Sequence, residues 1–389
     1  MKKLIALLLA MVMVFGLVAC GNNASNDAPA TTAPAANNAD DSNAPAPATG
    51  AEIVLVTNGP QSTVDDRGFN QLSWEGIQAY AQETGKTANY YLPVETSTAS
   101  YIQCVETAIK EGAKVIVCPG FLMSGCVYEC QKNYPDVKFI LIDATPASEE
   151  TGEVLVAENT LAMTFAEDQS GFLAGYAAVY EGYTKLGFFG GMAVPAVVRF
   201  GYGYVQGIEY AAKELDIEVE LLYSYTGTFD IAPEYQTKAA SWYQTGTECI
   251  FGCGGADNVL AACESVGGDK VSIGVDTDMS GNSETVITSA MKNMAPVITG
   301  ALHQIDDGTF PGGSAKVYTI MDDACALPMA TSRFKNFTQE QYDAIVADMK
   351  ADTNGILSNM IVDVDADGNS VAIEDVIATL THVTVKVVE

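Results

Sequence analysis

The chain has 389 residues, 49 of them acidic and 19 basic, for a formal net charge of −30. This balance argues against nucleic acid as a partner, because too few cations are present to neutralise phosphates. Charged residues are only 17% of the total and hydrophobic ones 48%, so a large core is affordable and the length suits two or three domain-sized units.

In chain order, "MKK" is a basic start and "LIALLLAMVMVFG" an apolar run too short to span a bilayer comfortably. Leu17-Val18-Ala19-Cys20 follows. It has the form of a bacterial lipobox, so residues 1–19 are expected to be a lipoprotein signal peptide and Cys20 the lipidated N-terminus. An ordinary secretory signal followed by a chance cysteine is the alternative. After Cys20, the rest of the segment 20–50 contains no aromatic and no aliphatic side chain larger than alanine. Such a segment cannot offset its ordering entropy by burial and is expected to be a disordered tether.

Past Gly50 the pattern changes. Apolar, strand-like runs "EIVLVT", "NYYLPV", "KVIVCPG", "VKFILID" and "VLVAEN" are separated by helical stretches, and "KLGFFGG", "VELLYSY", "ECIFGCGG" and "KVSIGVD" repeat the scheme. Continuous apolar strands with crossover helices indicate parallel sheets covered on both faces. The second half copies the first. Laying "FNQLSWEGIQAYAQE" over "FGYGYVQGIEYAAKE" puts Phe69 on Phe200, Gly76 on Gly207 and Ile77 on Ile208 at one constant offset. Two similar Rossmann-like lobes follow from this. Ligands of such sheets bind at the carboxyl ends of strands. That rule directs attention to Asn58, the loop Asp65 to Asn70, Gly120-Phe121, Asp143, Gly190 to Met192, Thr228-Phe229, Gly254-Gly255, Asp276 and Asp278.

The loop "VDDRGFNQ" is unusual there, because a turn ordinarily takes small polar residues rather than a phenylalanine beside an asparagine. Phe69 and Phe229, one per lobe, could sandwich a flat ring, and Asn70 offers both donor and acceptor to its edge. Packing of Phe69 on its own helix is the competing explanation. The "GYGYVQG" run, Gly201 to Gly207, is one residue too long for a dinucleotide fingerprint and lies within a helix, so it reads as small packing residues.

Reactive chemistry is sparse. The histidines are His303 and His382, with no Ser/His, Cys/His or metal-binding cluster in the sequence around them. No cofactor and no catalytic residues are expected. The cysteines after Cys20 mostly sit in apolar runs and are expected to be buried thiols, one disulfide staying possible in an exported protein. Near the end, Asp363, Asp365, Asp367, Gly368 and Glu374 match the spacing of a calcium loop. The alternation of "NMIVDVDADGNSVAIEDV" is instead a strand pattern, which favours a β-hairpin about a DADGN turn over a loop between two helices.

Taken in order, "DDRGFNQLSWEGI", "YPDVKFILID", "EDQSGFLAGYAA", "KLGFFGGMAVPAVVRFGYGYVQGI", "YTGTFD", "GCGGADNVL", "IGVDTDMS" and "VITSAMKN" resemble the basic membrane protein (BMP) family of ABC-transporter solute-binding lipoproteins, several of which bind purine nucleosides. The resemblance weakens from about Asp322 on. It implies an α/β type I periplasmic-binding-protein fold, two lobes joined by three crossings with the ligand cleft between them. The expected division is 51–184 plus 277–320 for lobe 1 and 185–276 plus 321–389 for lobe 2. Phe69 and Phe229 resemble the family's stacking aromatics. Asp66 and Asn70 fall in the motif that contacts the base, Asp276 matches the carboxylate that takes the ribose hydroxyls and Lys292 the lysine beside it, and Gly254 lies where the backbone approaches the sugar. Asn58 and Asp143 complete the expected ligand-binding set. Two departures bear on the base: Thr57-Asn58-Gly59 stands where relatives often read Thr-Asp-x-Gly, and Gly125 where they often carry an acid. The implied partners are a small molecule (a purine nucleoside first), an ABC permease and, through the lipid, the outer face of the cell membrane, with the protein acting as a monomer. A ligand-sensing lipoprotein without transport, an enzyme acting on nucleosides, and a receptor for a sugar or amine are the rival readings.

Overall fold

The computed structural model describes residues 50–65 and 68–389; the expected signal peptide, Cys20, its tether and Asp66 therefore lie outside the described residues. Five strands open the fold: β1 (Ile53–Val56), β2 (Ala88–Tyr91), β3 (Val115–Pro119), β4 (Lys138–Ile142) and β5 (Thr160–Phe165). Helices α1 (Phe69–Thr84), α2 (Thr98–Lys110) and α3 (Ser124–Asn133) connect them. A second series follows: α4 (Glu167–Glu181), β6 (Lys185–Gly190), α5 (Pro195–Leu215), β7 (Val219–Tyr225), α6 (Pro233–Gln244), β8 (Cys249–Cys253), α7 (Ala256–Val266), β9 (Val271–Asp276) and β10 (Val286–Lys292). The remainder is α8 (Met294–Asp306), β11 (Ser314–Tyr318), β12 (Cys325–Ala326), α9 (Gln339–Lys350), α10 (Ile373–Ile377) and β13 (Val383–Val387).

Two sheets result, one ordered β11-β5-β4-β3-β1-β2 and the other β12-β10-β9-β8-β6-β7-β13. All pairings are parallel except β10 with β12. The strands are buried on both faces, as their unbroken apolar runs require. In β1, Ile53 and Leu55 join the core under α1 and α8, while Val54 and Val56 join the core under α2 and α3. In the second sheet, α4 and α5 cover one face and α6 and α7 the other.

The sheets divide the chain at points other than residues 184 and 276. α4 packs on α5, and β10 hydrogen-bonds to β9, so 167–181 and 286–292 belong with the second sheet; α8 packs on α1 and β11 pairs with β5, so 294–318 returns to the first. The chain thus crosses near Ala166, Asn293 and Thr319. Local pattern cannot reveal this, because an apolar strand fits either sheet equally well. The run "VLVAEN" also differs: Val154 makes only an isolated bridge to Ala147, and the fifth strand starts at Thr160.

Gly171 and Gly175 of α4 face Gly203 and Gly207 of α5. At Gly203 a Cβ would run into the Asp168 carbonyl, and at Gly207 into that of Phe172. The glycine run in α5 therefore lets two helix backbones touch, as small residues do wherever helices approach closely. The calcium-loop sequence folds as a turn: Val364 bridges Ser370, and the Asp365 carboxylate accepts from the main-chain N–H groups of Asp367 and Asn369 at 2.9 and 2.8 Å. Asp363 is bound instead to Arg199, Glu374 is exposed, and residues 356–362, which lead into the loop, are not helical.

Candidate functional site

A cleft of about 470 Å³ opens where the carboxyl ends of the two sheets meet, within the range of small-molecule sites. Of the expected binding residues, Asn58, Phe69, Asp143, Phe229, Gly254, Asp276 and Lys292 line it. Asn70 stands behind Asn58, buried and hydrogen-bonded to it.

Both lobes build their cleft edge the same way. Gly120 follows β3 at φ +94° and Gly254 follows β8 at φ +76°. Asp143 follows β4 at φ 61° and Asp276 ends β9 at φ 63°. Left-handed backbone is uncommon for a non-glycine residue and costs energy, yet it recurs at the matching place in each lobe. It turns each aspartate off the end of its strand into the cleft.

The two carboxylates meet at Lys292, which is only 2% exposed. Its Nζ lies 2.5 Å from Asp143 Oδ2, 3.0 Å from Glu167 Oε1 and 3.5 Å from Asp276 Oδ1. Burial works against its charge, but these three carboxylates outweigh it and hold the ammonium well above its ordinary pKa. Arg199 reinforces the cluster, its Nε 2.5 Å from Glu167 Oε2 and its Nη1 3.1 Å from Asp363 Oδ2. Burial raises the Glu167 carboxyl, and Lys292 with Arg199 reverses that and holds it below the usual range. Asp143 goes the other way: burial pushes it up to about 6 against the pull of Lys292. Burial likewise raises Asp276. Asp143 Oδ1 is buried without a hydrogen-bond partner, and Asp276 Oδ1, also buried, has only the long contact to Lys292 Nζ. Carboxylates so lightly partnered on a cleft wall are acceptors for hydroxyl or N–H groups of a ligand.

Aromatic surface flanks this cluster. The Phe69 ring has Lys292 Nζ 5.1 Å from its centroid, a cation–π distance. Phe69 also packs against the core under α1, as the competing explanation expects, while its ring reaches the cleft wall. Phe229 comes from the loop between β7 and α6. That loop is tied down by Asn258, whose Oδ1 accepts from Ala232 N and whose Nδ2 donates to the Asp230 carbonyl. The ring lies on glycine: a Cβ at Gly254 would stand 2.7 Å, and one at Gly191 2.6 Å, from a Phe229 ring carbon.

Glu167 and Arg199 escaped the sequence reading. Glu167 is the first residue after a crossing, within the quoted "EDQSGF", and Arg199 is a lone cation in the apolar "PAVVRFGYGY". Each is a charge in a setting that should be buried, and that was the available signal. Among the described residues no group of His, Cys, Asp and Glu could hold a metal ion, and no helix is long and apolar enough to cross a membrane. The described cysteines are free thiols, all buried but the partly exposed Cys104.

Residues 53–360 match the family model of PnrA-like ABC transporter substrate-binding proteins, Bmp. The ABC transporter nucleoside-binding protein BmpA of Lactococcus lactis subsp. cremoris is 28% identical over 309 residues, which are 74% of this chain and 84% of that protein. Basic membrane protein A2 of Borrelia garinii subsp. bavariensis is 28% identical over 267 residues, 67% of this chain and 75% of that one. Among solved structures, an ABC transporter solute-binding protein from Conexibacter woesei superposes with a TM-score of 0.62 at 21% identity, covering 77% of this chain and 96% of that one. That likeness establishes the two-lobe periplasmic-binding fold.

Proposed function

This chain belongs to the Bmp family of PnrA-like ABC transporter substrate-binding proteins, and from that premise we propose that it captures a purine nucleoside and hands it to a membrane permease. The observation that carries this reading is the pairing, within one cleft, of Phe69 and Phe229 with the carboxylates of Asp143 and Asp276, neither of which has both oxygens hydrogen-bonded. A nucleoside has the matching parts. Its base is a flat ring for the aromatics, and its ribose carries vicinal hydroxyls that a charged acceptor binds strongly. In this reading Asp276 and Asp143 accept the hydroxyls, Lys292 fixes both carboxylates, and Gly254 gives the Phe229 ring room to lie against the backbone. The nucleoside-binding relative supports the same class of ligand. Cys20 would carry the lipid that tethers the receptor, as a monomer, to the outer face of the membrane. Nothing in the arrangement is asked to break a bond.

Thermal unfolding of the purified protein with nucleosides, free bases, ribose and amino acids tests the reading. A nucleoside at a hundredfold its Kd should add about 2.7 kcal/mol of stability, and ribose alone should add little. Asp276→Ala should keep the fold and lose most of the nucleoside shift. A shift with sugars or amines and none with any nucleoside discards the ligand and leaves the family.

A further inference from the structure

Asn58 has three of its four hydrogen-bonding groups committed. Its main-chain carbonyl accepts from the Tyr101 hydroxyl at 2.7 Å. Its main-chain N–H donates to Asn70 Oδ1 at 3.2 Å, and its side-chain Oδ1 accepts from Asn70 Nδ2 at 3.1 Å. These bonds fix both amides. A main-chain N–H can only donate, so Asn70 must turn its oxygen toward it and its nitrogen toward Asn58 Oδ1. Asn58 Nδ2 is left on the cleft wall, where no described residue accepts from it. The space beside it is kept by Gly120, where a Cβ would lie 3.3 Å from Nδ2 and the backbone is left-handed at φ +94°. The cleft carboxylates are grouped around Lys292 instead.

We infer that Asn58 reads the base as an obligate hydrogen-bond donor, so that the cleft prefers adenine, whose N1 is an unprotonated acceptor, over hypoxanthine and guanine, whose N1 carries a proton. The inference rests on the nucleoside reading above. Asn58 cannot turn its oxygen to an N1–H without breaking its bond to Asn70, because the turn would set its own Nδ2 against Asn70 Nδ2. A buried donor left facing a donor is what gives polar sites their discrimination.

Calorimetric titration of the purified protein decides it with ligands that differ at this edge. Adenosine is expected to bind at least about tenfold more tightly than inosine, and 1-deazaadenosine, which lacks N1, to lose about the same factor. Asn58→Asp turns the free donor into an acceptor and should reverse the adenosine–inosine order, with the melting temperature checked alongside. Inosine binding as tightly as adenosine to the wild type overturns the inference and leaves the nucleoside reading intact, and this arm needs no variant to fold. An order unchanged in a folded Asn58→Asp protein overturns it as well. Failure of every nucleoside to bind overturns both.

Discussion

The two lobes share a frame and divide the labour of the cleft unevenly. Glycine after the third strand and aspartate after the fourth, all four left-handed, recur in both. The second lobe nevertheless supplies Lys292, Glu167, Arg199 and the glycine bed of Phe229, while the first supplies Phe69 and the Asn58–Asn70 pair. Duplication thus explains where cleft residues sit, and the crossings explain which charges reach them. Lys292 ends the last strand before one crossing and Glu167 begins the first helix after another. An ion cluster at the hinge is therefore also part of the cleft floor.

The comparison breaks most severely at the helix pairs. Gly203→Ala should destabilise the protein by about 3 kcal/mol or more in urea unfolding, since its Cβ overlaps the Asp168 carbonyl and two anchored helices must part. Gly76→Ala in α1 should cost less, about 1–3 kcal/mol, because its Cβ would sit 2.6 Å from the Ala295 carbonyl, a smaller overlap, at the first turn of α8. Equal costs would mean that the lobes are packed alike after all.

Next in size is the cluster itself. Lys292→Met leaves three carboxylates buried without their shared cation and should cost about 3–5 kcal/mol. Lys86→Met removes an ion pair of the first lobe whose side chains are each one-third exposed, and should cost at most about 1 kcal/mol. A Lys292→Met protein as stable as wild type would show that the carboxylates simply take up protons.

Smaller again are the two aromatics. Each truncation to alanine should weaken nucleoside binding by about 1–3 kcal/mol. Only Phe69→Ala should also lower the melting temperature, because Phe69 packs on the core, whereas Phe229 is 38% exposed on a glycine bed. If Phe229→Ala lowered stability and left binding unchanged, its loop would be structural.

Much of this was legible in the sequence. The strand runs, their repetition and the rule that ligands sit at strand ends placed Asn58, Phe69, Asp143, Phe229, Gly254 and Asp276 on one cleft, because each ends an apolar run or lies in the loop that follows one. The crossings were not legible: β10 is as apolar as a strand of either sheet, so its membership is decided by tertiary packing. Nor was the burial of Glu167 and Arg199, since composition places charges at the surface and only a partner across the fold reverses that. The C-terminal stretch from Thr319, with its capped α9 and the Asp365 turn, shows the same limit, its calcium-like spacing serving a hairpin whose first aspartate is held by Arg199.

The finest distinction lies between the paired aspartates and is read by pH. Asp143 is raised to about 6 and so is partly protonated in mildly acidic buffer. A carboxyl whose folded pKa exceeds its unfolded one favours folding when protonated, so the ligand-free protein should gain stability as the pH falls from about 6 towards 4. Hydroxyl capture has the opposite sign, because the ionised form is the stronger acceptor. Nucleoside affinity should therefore fall as the pH drops through about 6, by up to roughly tenfold at pH 5, one unit below that pKa. Asp143→Asn should flatten the affinity profile, weakening binding at pH 7.5 and leaving that at pH 5 little changed, while the stability profile keeps the contribution of Asp168, which burial pushes up to about 7. If the affinity of Asp143→Asn keeps the wild-type slope, the titrating group is elsewhere and Asp276 alone accepts the hydroxyls. If wild-type binding is flat across this range, Asp143 does not touch the ligand, and the likeness of the two lobes ends at their backbones.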